Sequence, residues 1–407
     1  MSNSKRIALI SDAFPPMRSS GAIQILDLSL EFIKQGHQPT VVLPSSEIDC
    51  TWIFENWSGV QTLRIKAPKT KDVGYFQRTI GEFLMPFVML RNLRKSPVAK
   101  MCWDGIVWYS PTIFWGPLVK SLKKSSSCRG YLIVRDIFPE WAVDIGLMRR
   151  GLPYLFFKLI ERFQYRIADV IGVQTLGNVG YFNKLGKNIK RKVEVLQNWL
   201  AYAPNVGCSI SVSESSLAGR KIFVYAGNMG VAQDMDILLD LAEHLRNRKD
   251  IGFMFVGRGS YVKRLLMESK TRGLENIAFY NEIDPSEIPG LYAQCHVGLI
   301  ALDPRHKTHN IPGKFLSYMQ SGLPVLASIN PGNELVEIIS QERVGRVCTD
   351  ASKETLLRLA EELLRDIAVD VKIKARCQML STNMFSPKTA VNQIIHALSV
   401  VSAPENT

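Results

Sequence analysis

Two stretches of this chain share one layout, and that repetition constrains the fold more than any other feature. Residues 6–43 read RIALISDAFPPMRSSGAIQILDLSLEFIKQGHQPTVVL, and residues 221–257 read KIFVYAGNMGVAQDMDILLDLAEHLRNRKDIGFMFVG. Each is an apolar strand, a loop of small residues, a helix of about four turns and a second apolar strand. That is the βαβ unit that opens a doubly wound parallel sheet. The two starts stand 215 residues apart (221 − 6). Two Rossmann-like α/β domains are therefore expected rather than one long sheet, and 407 residues exceed what one core usually serves. A Ser- and Gly-rich stretch at 203–219, poor in large apolar residues, reads as a linker or surface loop. Further strands are expected at 105–109, 130–134, 170–174 and 193–196, then at 277–280, 297–301 and 325–328. A closing helix is expected from 387 to about 400. The expected domains are 1–205, 206–386 and a C-terminal segment, 387–407.

The net charge of +13 is unevenly placed. Residues 1–205 hold 28 Lys and Arg against 15 Asp and Glu (28 − 15 = +13), and the remainder hold 22 against 22. A basic first half suits nucleic acid, an anionic membrane leaflet or plain solubility. Two segments sharpen the membrane option. Residues 149–169 form a basic amphipathic helix in which Leu155, Phe156, Leu159, Ile160 and Phe163 make a stripe, with Lys158, Arg162 and Arg166 on another face. Residues 83–95 run large apolar side chains into Arg91, Arg94 and Lys95. Either segment could equally pack on a sheet. No apolar run approaches the roughly 20 residues that cross a bilayer. Neither a secretory signal nor a metal-type cysteine pair is evident, so a cytoplasmic protein with seven free thiols is expected.

The chemistry is expected at the carboxyl ends of the strands, where ligands bind in open α/β sheets. Gly227-Asn228-Met229-Gly230 and Gly257-Arg258-Gly259-Ser260 each follow a strand, and their glycines let backbone N–H groups approach an anion. Residues 309–329 read as loop, helix, turn and strand, with Lys314 at the helix start beside free N–H groups. Lys307 and His309 precede it. In the first half, residues 15–21 and the stretch Arg135-Asp136-Ile137-Phe138-Pro139-Glu140 follow strands. Asp136 or Glu140 there could orient a hydroxyl or act as a base. Asp234-Met235-Asp236 spells a metal-diphosphate motif, but at a helix start Asp is favoured as a cap. His37 reads as structural. There is no Walker loop and no HExxH.

Phe14-Pro15-Pro16 with Gly21, Gly36-His37, Glu161-Arg162-Phe163, Tyr165-Arg166, Ala168-Asp169 and Asn198 follow one another in the first half. Tyr225-Ala226-Gly227-Asn228, Val256-Gly257-Arg258-Gly259 and Gly322-Leu323-Pro324-Val325 follow in the second. In order and spacing they resemble glycosyltransferase family 4. Gly227–Gly230, Asp136–Glu140 and Pro312-Gly313-Lys314 with Tyr318-Met319 resemble, more closely, bacterial L-fucosamine transferases of O-antigen or capsule assembly. The resemblance implies a GT-B architecture: two Rossmann-like domains facing across a cleft, the C-terminal helix packing back on the first. It implies retaining, metal-independent transfer from a UDP-sugar, possibly an N-acetylated 6-deoxyhexosamine. The acceptor would be a saccharide on an undecaprenyl-diphosphate carrier at the anionic inner membrane surface, with the enzyme peripheral there. Asp136, His309 and Lys314 are the expected catalytic residues. Gly21, Gly227, Asn228, Gly230, Arg258, Asn310 and Ser317 are expected to bind the nucleotide sugar, and Arg135 and Glu140 to face the acceptor. The family's two glutamates, with seven residues between them, fall on His309 and Ser317 here, and its Arg and Lys on Asn228 and Gln233. A UDP-GlcNAc 2-epimerase on the same fold and a basic nucleic-acid-binding protein are the alternatives, although no interleaved basic and aromatic motif supports the latter.

Overall fold

The strands of this chain are short, nearly continuous apolar runs, as strands covered on both faces must be. The computed structural model describes residues 4–17, 19–144, 146–184, 191–230, 233–303 and 311–400. It divides into two units, residues 1–199 with 387–407, and residues 200–386.

The first unit opens with β1 (Arg6–Ile10), α1 (Ser20–Lys34) and β2 (Gln38–Ser45), then a hairpin of β3 (Trp52–Trp57) and β4 (Val60–Lys66). There follow α2 (Tyr75–Leu93), β5 (Gly105–Ser110), α3 (Gly116–Ser126) and β6 (Arg129–Val134). Next come α4 (Glu140–Asp144), α5 (Leu152–Ile167), β7 (Val170–Val173), α6 (Leu176–Lys184) and β8 (Lys192–Val195). The second unit runs β9 (Lys221–Asn228), α7 (Met235–His244), β10 (Ile251–Arg258), α8 (Val262–Thr271), β11 (Ile277–Tyr280) and α9 (Ile288–Tyr292). It continues through β12 (Val297–Ala301), α10 (Gly313–Gln320), β13 (Val325–Ser328), α11 (Glu334–Glu342), β14 (Gly345–Cys348), α12 (Lys353–Val369) and α13 (Ile373–Met384). Last comes α14 (Pro387–Ser399), which belongs to the first unit.

The first sheet has the order β3-β4-β2-β1-β5-β6-β7-β8, parallel except for β3 against β4. The second has the order β11-β10-β9-β12-β13-β14 and is parallel throughout. In both, successive strand residues feed opposite cores. Ile7 and Leu9 join one cluster and Ala8 and Ile10 the other, while Ile222 and Val224 face away from Phe223 and Tyr225. The expected strands form. The β3–β4 hairpin was not expected. Its signal is the two-residue turn Ser58-Gly59, with φ of +51° and +89°, which suits a tight hairpin.

Helix α14 buries Ala390, Val391, Ile394, Ala397 and Leu398 against Ile7, Leu9, Leu28 and Phe32. Its Gln393 donates to Glu194 Oε1 and to the Val195 carbonyl, 2.9 and 2.8 Å away. The chain passes between units at Trp199–Leu200 rather than at 205, because residues 200–203 are tied to the second unit. Leu200 N–H donates to Phe385 O (2.9 Å), and Gln320 bonds both Ala201 O (2.9 Å) and Ala203 N–H (3.2 Å).

Helix α5 forms where the amphipathic pattern put it, but with its faces reversed. Lys158, Glu161, Gln164 and Tyr165 are buried, while Leu152, Leu155, Phe156, Leu159 and Phe163 are exposed. Lys158 therefore does not share the solvent face of Arg162 and Arg166.

Candidate active site

The second unit gathers its chemistry at the carboxyl ends of β9 and β10. The strands stay paired to their last residues, Gly257 opposite Gly227 and Arg258 opposite Asn228. Gly257 has φ +146°, and a Cβ there would lie 2.0 Å from the Gly227 carbonyl oxygen, so only glycine fits. Gly227, at φ +138°, leaves room for Lys314, whose Cε would lie 3.8 Å from a Cβ at that position. These ends, with α10 and the 282–292 segment, enclose a pocket of about 350 Å³. Gly227, Asn228, Arg258, Lys314 and Ser317 line its polar side; Ile283, Pro285, Ile288 and Tyr292 line an apolar wall.

Helix α10 carries Lys314 because Phe315, Leu316, Tyr318 and Met319 anchor its opposite face in the core. The Tyr318 hydroxyl donates to the carbonyls of Val224 and Leu299, at 3.1 and 3.2 Å, pinning the helix across β9 and β12. Gly298 accommodates that ring, since a Cβ there would lie 2.6 Å from it. Lys314 Nζ donates to Tyr225 Oη at 2.7 Å and sits 3.9 Å from the centre of the same ring. The Tyr225 hydroxyl passes on to the Asn228 carbonyl at 2.6 Å. No carboxylate faces Lys314 among the described residues, and burial pushes its ammonium down to about 7. Among the described residues the site therefore holds a cation without a counter-ion, which an anion would supply.

The other expected residues fall differently. Arg258 lines the pocket but is exposed and paired with Glu282 at 3.2 Å. Gly230 sits in the loop after β9, where its N–H and the Asn228 side chain both donate to Gln233 Oε1 at 3.2 Å. Asn228 and Gln233, at the family's Arg and Lys positions, thus brace the loop as neutral partners. Asp236 pairs with Arg264 at 2.7 Å and Asp234 stands at the N-cap position of α7, so that DxD is helix-start chemistry. His309, Asn310 and Lys307 lie outside the described residues. Sequence reasoning missed Tyr225 as the partner of Lys314 and Glu282 as the partner of Arg258. Tyr225 stands two residues before Gly227, a spacing that returns it to the same strand edge.

In the first unit the expected acceptor residues do not form one group. Asp136 is exposed at the exit of β6. Arg135, next to it, is buried instead. Its Nη1 donates to Leu196 O at 3.1 Å, and its guanidinium lies 4.6 Å from the Trp199 ring centre. Burial pushes its charge toward loss, opposed by Tyr109. Gly21 is in the first turn of α1, and a Cβ there would lie 3.3 Å from the Tyr109 ring, so it serves close packing on β5. Glu140 is held in a polar cluster: Tyr154 Oη donates to it at 2.8 Å and Lys158 Nζ lies 3.0 Å away. Burial alone would raise its pKa, but the hydrogen bonds from Tyr154 and Lys158, helped by the charges of Lys158 and Arg150, lower it on balance. His37 is buried, accepting from Lys5 N–H at 3.3 Å. A cavity of about 250 Å³ lies instead at the ends of β1, β2 and β4, lined by Asp12, Ser45, Arg64 and Lys71 among others. Among the described residues no three His, Cys, Asp or Glu side chains cluster as metal ligands, and no helix is long and apolar enough to cross a membrane.

Two doubly wound α/β units, with a lysine and a glycine cradle at the strand ends of the second, have the fold of GT-B proteins. Residues 220–366 match the family model described as Glycosyl transferases group 1. The chain is 24% identical over 239 residues to WbjE of Pseudomonas aeruginosa, described as a glycosyltransferase; the match covers 57% of this chain and 59% of WbjE. It is 23% identical over 335 residues to WcaI of Escherichia coli (strain K12), described as a colanic acid biosynthesis glycosyl transferase, covering 77% of this chain and 78% of WcaI. Among solved structures, Anabaena Alr3699/HepE in complex with UDP and glucose superposes with a TM-score of 0.66 at 15% identity, covering 98% of this chain and all (100%) of that one. The chain thus shares its fold with glycosyltransferases of known structure, and most of its second unit matches a glycosyltransferase family model.

Proposed function

We propose that the chain is a retaining, metal-independent glycosyltransferase. It moves a sugar, such as an N-acetylated 6-deoxyhexosamine, from a UDP-sugar to a lipid-linked saccharide in bacterial surface polysaccharide synthesis. The carrying observation is Lys314, a half-buried cation with no carboxylate partner among the described residues, facing a glycine cradle beside an apolar wall. A nucleoside diphosphate matches that arrangement: its phosphates meet the cation and backbone N–H groups, and its base meets the wall. The description of WcaI and the UDP in the HepE structure support the substrate class.

In this reading the charge that builds on the departing diphosphate as the glycosidic bond breaks is met by Lys314, by the Gly227 and Gly257 strand ends and by Arg258 once Glu282 releases it. Ser317 lines the same pocket near the donor. His309 and Asn310 would face the donor sugar, and Asp136 would orient the acceptor hydroxyl. The basic first unit would work at an anionic membrane surface, where such an acceptor resides.

A thermal-shift panel of UDP, GDP, ADP, CMP and their sugars tests the donor class. A rise specific to uridine nucleotides is expected, and a flat panel would overturn the reading. Consumption of UDP-GlcNAc without any acceptor would instead favour the epimerase.

A further inference from the structure

Helices α2 and α5 both turn a matched stripe outward. On α2, Phe76, Ile80, Phe83, Leu84 and Phe87 are exposed, and the stripe ends in exposed Arg91 with Arg94 just beyond. On α5, Leu152, Leu155, Phe156, Leu159 and Phe163 are exposed, and the stripe continues through exposed Arg162 and Arg166. Steps of three and four residues put each set on one helix face. The two faces meet: the Phe83 and Phe156 rings are 6.2 Å apart between centroids. Phe114 and Phe157 pack behind that contact, at 6.5 Å from Phe83 and 5.3 Å from Phe156.

The acidic residues of both helices turn inward. Glu82 is held by Arg78 at 2.7 Å and by the Thr112 hydroxyl at 2.8 Å. Glu161 is fully buried, 2.5 Å from Lys158, and accepts from Tyr181 Oη at 2.9 Å. The joint face is thus apolar and cationic, with no exposed carboxylate on either helix. Arg149, Arg150 and Lys120 add charge at its border, with Lys120 Nζ lying 5.8 Å from the Phe163 ring centre. An apolar face of this kind normally packs inward, and on α5 that position is taken by the buried polar residues Lys158, Glu161 and Gln164.

We propose that α2 and α5 together form a docking face that inserts its aromatic and leucine side chains into the interfacial zone of an anionic lipid bilayer, with the flanking arginines on the headgroups. Apolar area plus basic residues, without acidic ones, is the composition such surfaces use. A second copy of this chain is a poorer fit, since two such cationic faces would repel. The proposal takes its purpose, though not its evidence, from the lipid-linked acceptor proposed above.

The test is co-sedimentation of the full chain with vesicles of phosphatidylcholine alone and with added phosphatidylglycerol, across a salt series. The wild type binds the anionic vesicles, more weakly as salt rises. Phe83→Ser with Leu159→Ser lowers partitioning by roughly tenfold or more, and Arg162→Gln with Arg166→Gln flattens the salt dependence. All four side chains are exposed and none lines the pocket of the second unit, so these variants stay folded and keep the UDP thermal shift, with any fall in melting temperature limited to the Phe83 ring contacts. No vesicle binding by the wild type overturns the proposal. So does binding that neither pair alters, and so does a dimer in light scattering that the Phe83/Leu159 variant abolishes, because the face then serves a second copy. Vesicle binding without a nucleotide shift sinks the donor reading and leaves this face standing.

Discussion

Helices α10 and α5 bury opposite kinds of residue. Helix α10 sets Phe315, Leu316, Tyr318 and Met319 in the core and keeps Lys314 at the edge of a pocket. Helix α5 sets Lys158, Glu161 and Gln164 inside and leaves Leu155 and Leu159 outside. The difference lies in how each cation is balanced. Lys158 stands between Glu140 and Glu161 and is also bonded to Tyr181, so its charge can be buried. Among the described residues Lys314 has only the Tyr225 hydroxyl and ring, so burial lowers its pKa to about 7. The satisfied lysine belongs to the architecture, and the unsatisfied one marks where a ligand completes the structure.

Stability breaks or sharpens this contrast with the largest effect. Phe315→Ala, in the core behind Lys314, should cost about 3–5 kcal/mol. Leu159→Ala, 67% exposed, should cost no more than about 0.5 kcal/mol. Thermal or urea unfolding of the two variants measures both. Similar losses would mean that α5 packs its apolar face on something after all.

Much of this fold could be read from the sequence, because parallel strands are apolar runs whose period and length are local properties. The helix start at Gly313-Lys314 and the glycines at 227 and 257 were legible for the same reason, each answering to its own backbone. The orientation of α5 was not legible. An apolar stripe says which residues share a face, not whether that face meets a core; the answer depended on Glu140 and Tyr181, 18 (158 − 140) and 23 residues from Lys158. The burial of Arg135 was not legible either, as its neighbours Leu196 and Trp199 lie some 60 residues on (the Leu196 contact spans 61). The hairpin of β3 and β4 was readable from Ser58-Gly59 and was overlooked.

Next in size is Lys314→Ala. If that cation meets the departing diphosphate, transfer should fall by about 10²–10³ in kcat, on the scale of losing one preorganised charge-stabilising donor. The variant should fold at least as well as the parent, since it removes an amine whose charge burial disfavours and which has no carboxylate partner among the described residues. An initial-rate assay with the UDP-sugar found in the nucleotide panel, alongside a melting curve, checks both halves. Near-normal turnover would move the chemistry elsewhere.

The pH dependence follows from the same group. Its folded value, about 7, is lowered from 10.5 by burial. Below pH 7 the free protein already carries the ammonium, and UDP binds without taking up a proton. Above pH 7 the free amine is neutral, so binding must recruit one proton, and affinity should fall by up to about tenfold per pH unit. For the free protein the sign is opposite. The buried ammonium opposes folding in full below pH 7, and that opposition fades as pH rises from 7 toward 10.5. UDP titration calorimetry in two buffers of different ionisation enthalpy would reveal the proton; identical heats at pH 8 would show that Lys314 stays charged when free.

The smallest effect tests whether Arg258 shares the work of Lys314. Arg258 and Glu282 are 69% and 54% exposed, so their ion pair contributes little to stability, under about 1 kcal/mol. Its presence still means that a diphosphate must compete with a carboxylate for the guanidinium. Glu282→Gln removes that competitor and one negative charge from the rim. UDP affinity should then rise by up to about fivefold, with an unchanged melting temperature. The rise should vanish in the Glu282→Gln, Arg258→Gln double variant, because the gain acts through that arginine. A gain that survives without Arg258 would mean that Glu282 acts only as a general negative charge near the pocket. Lys314 would then be the one described cation that meets the phosphates directly.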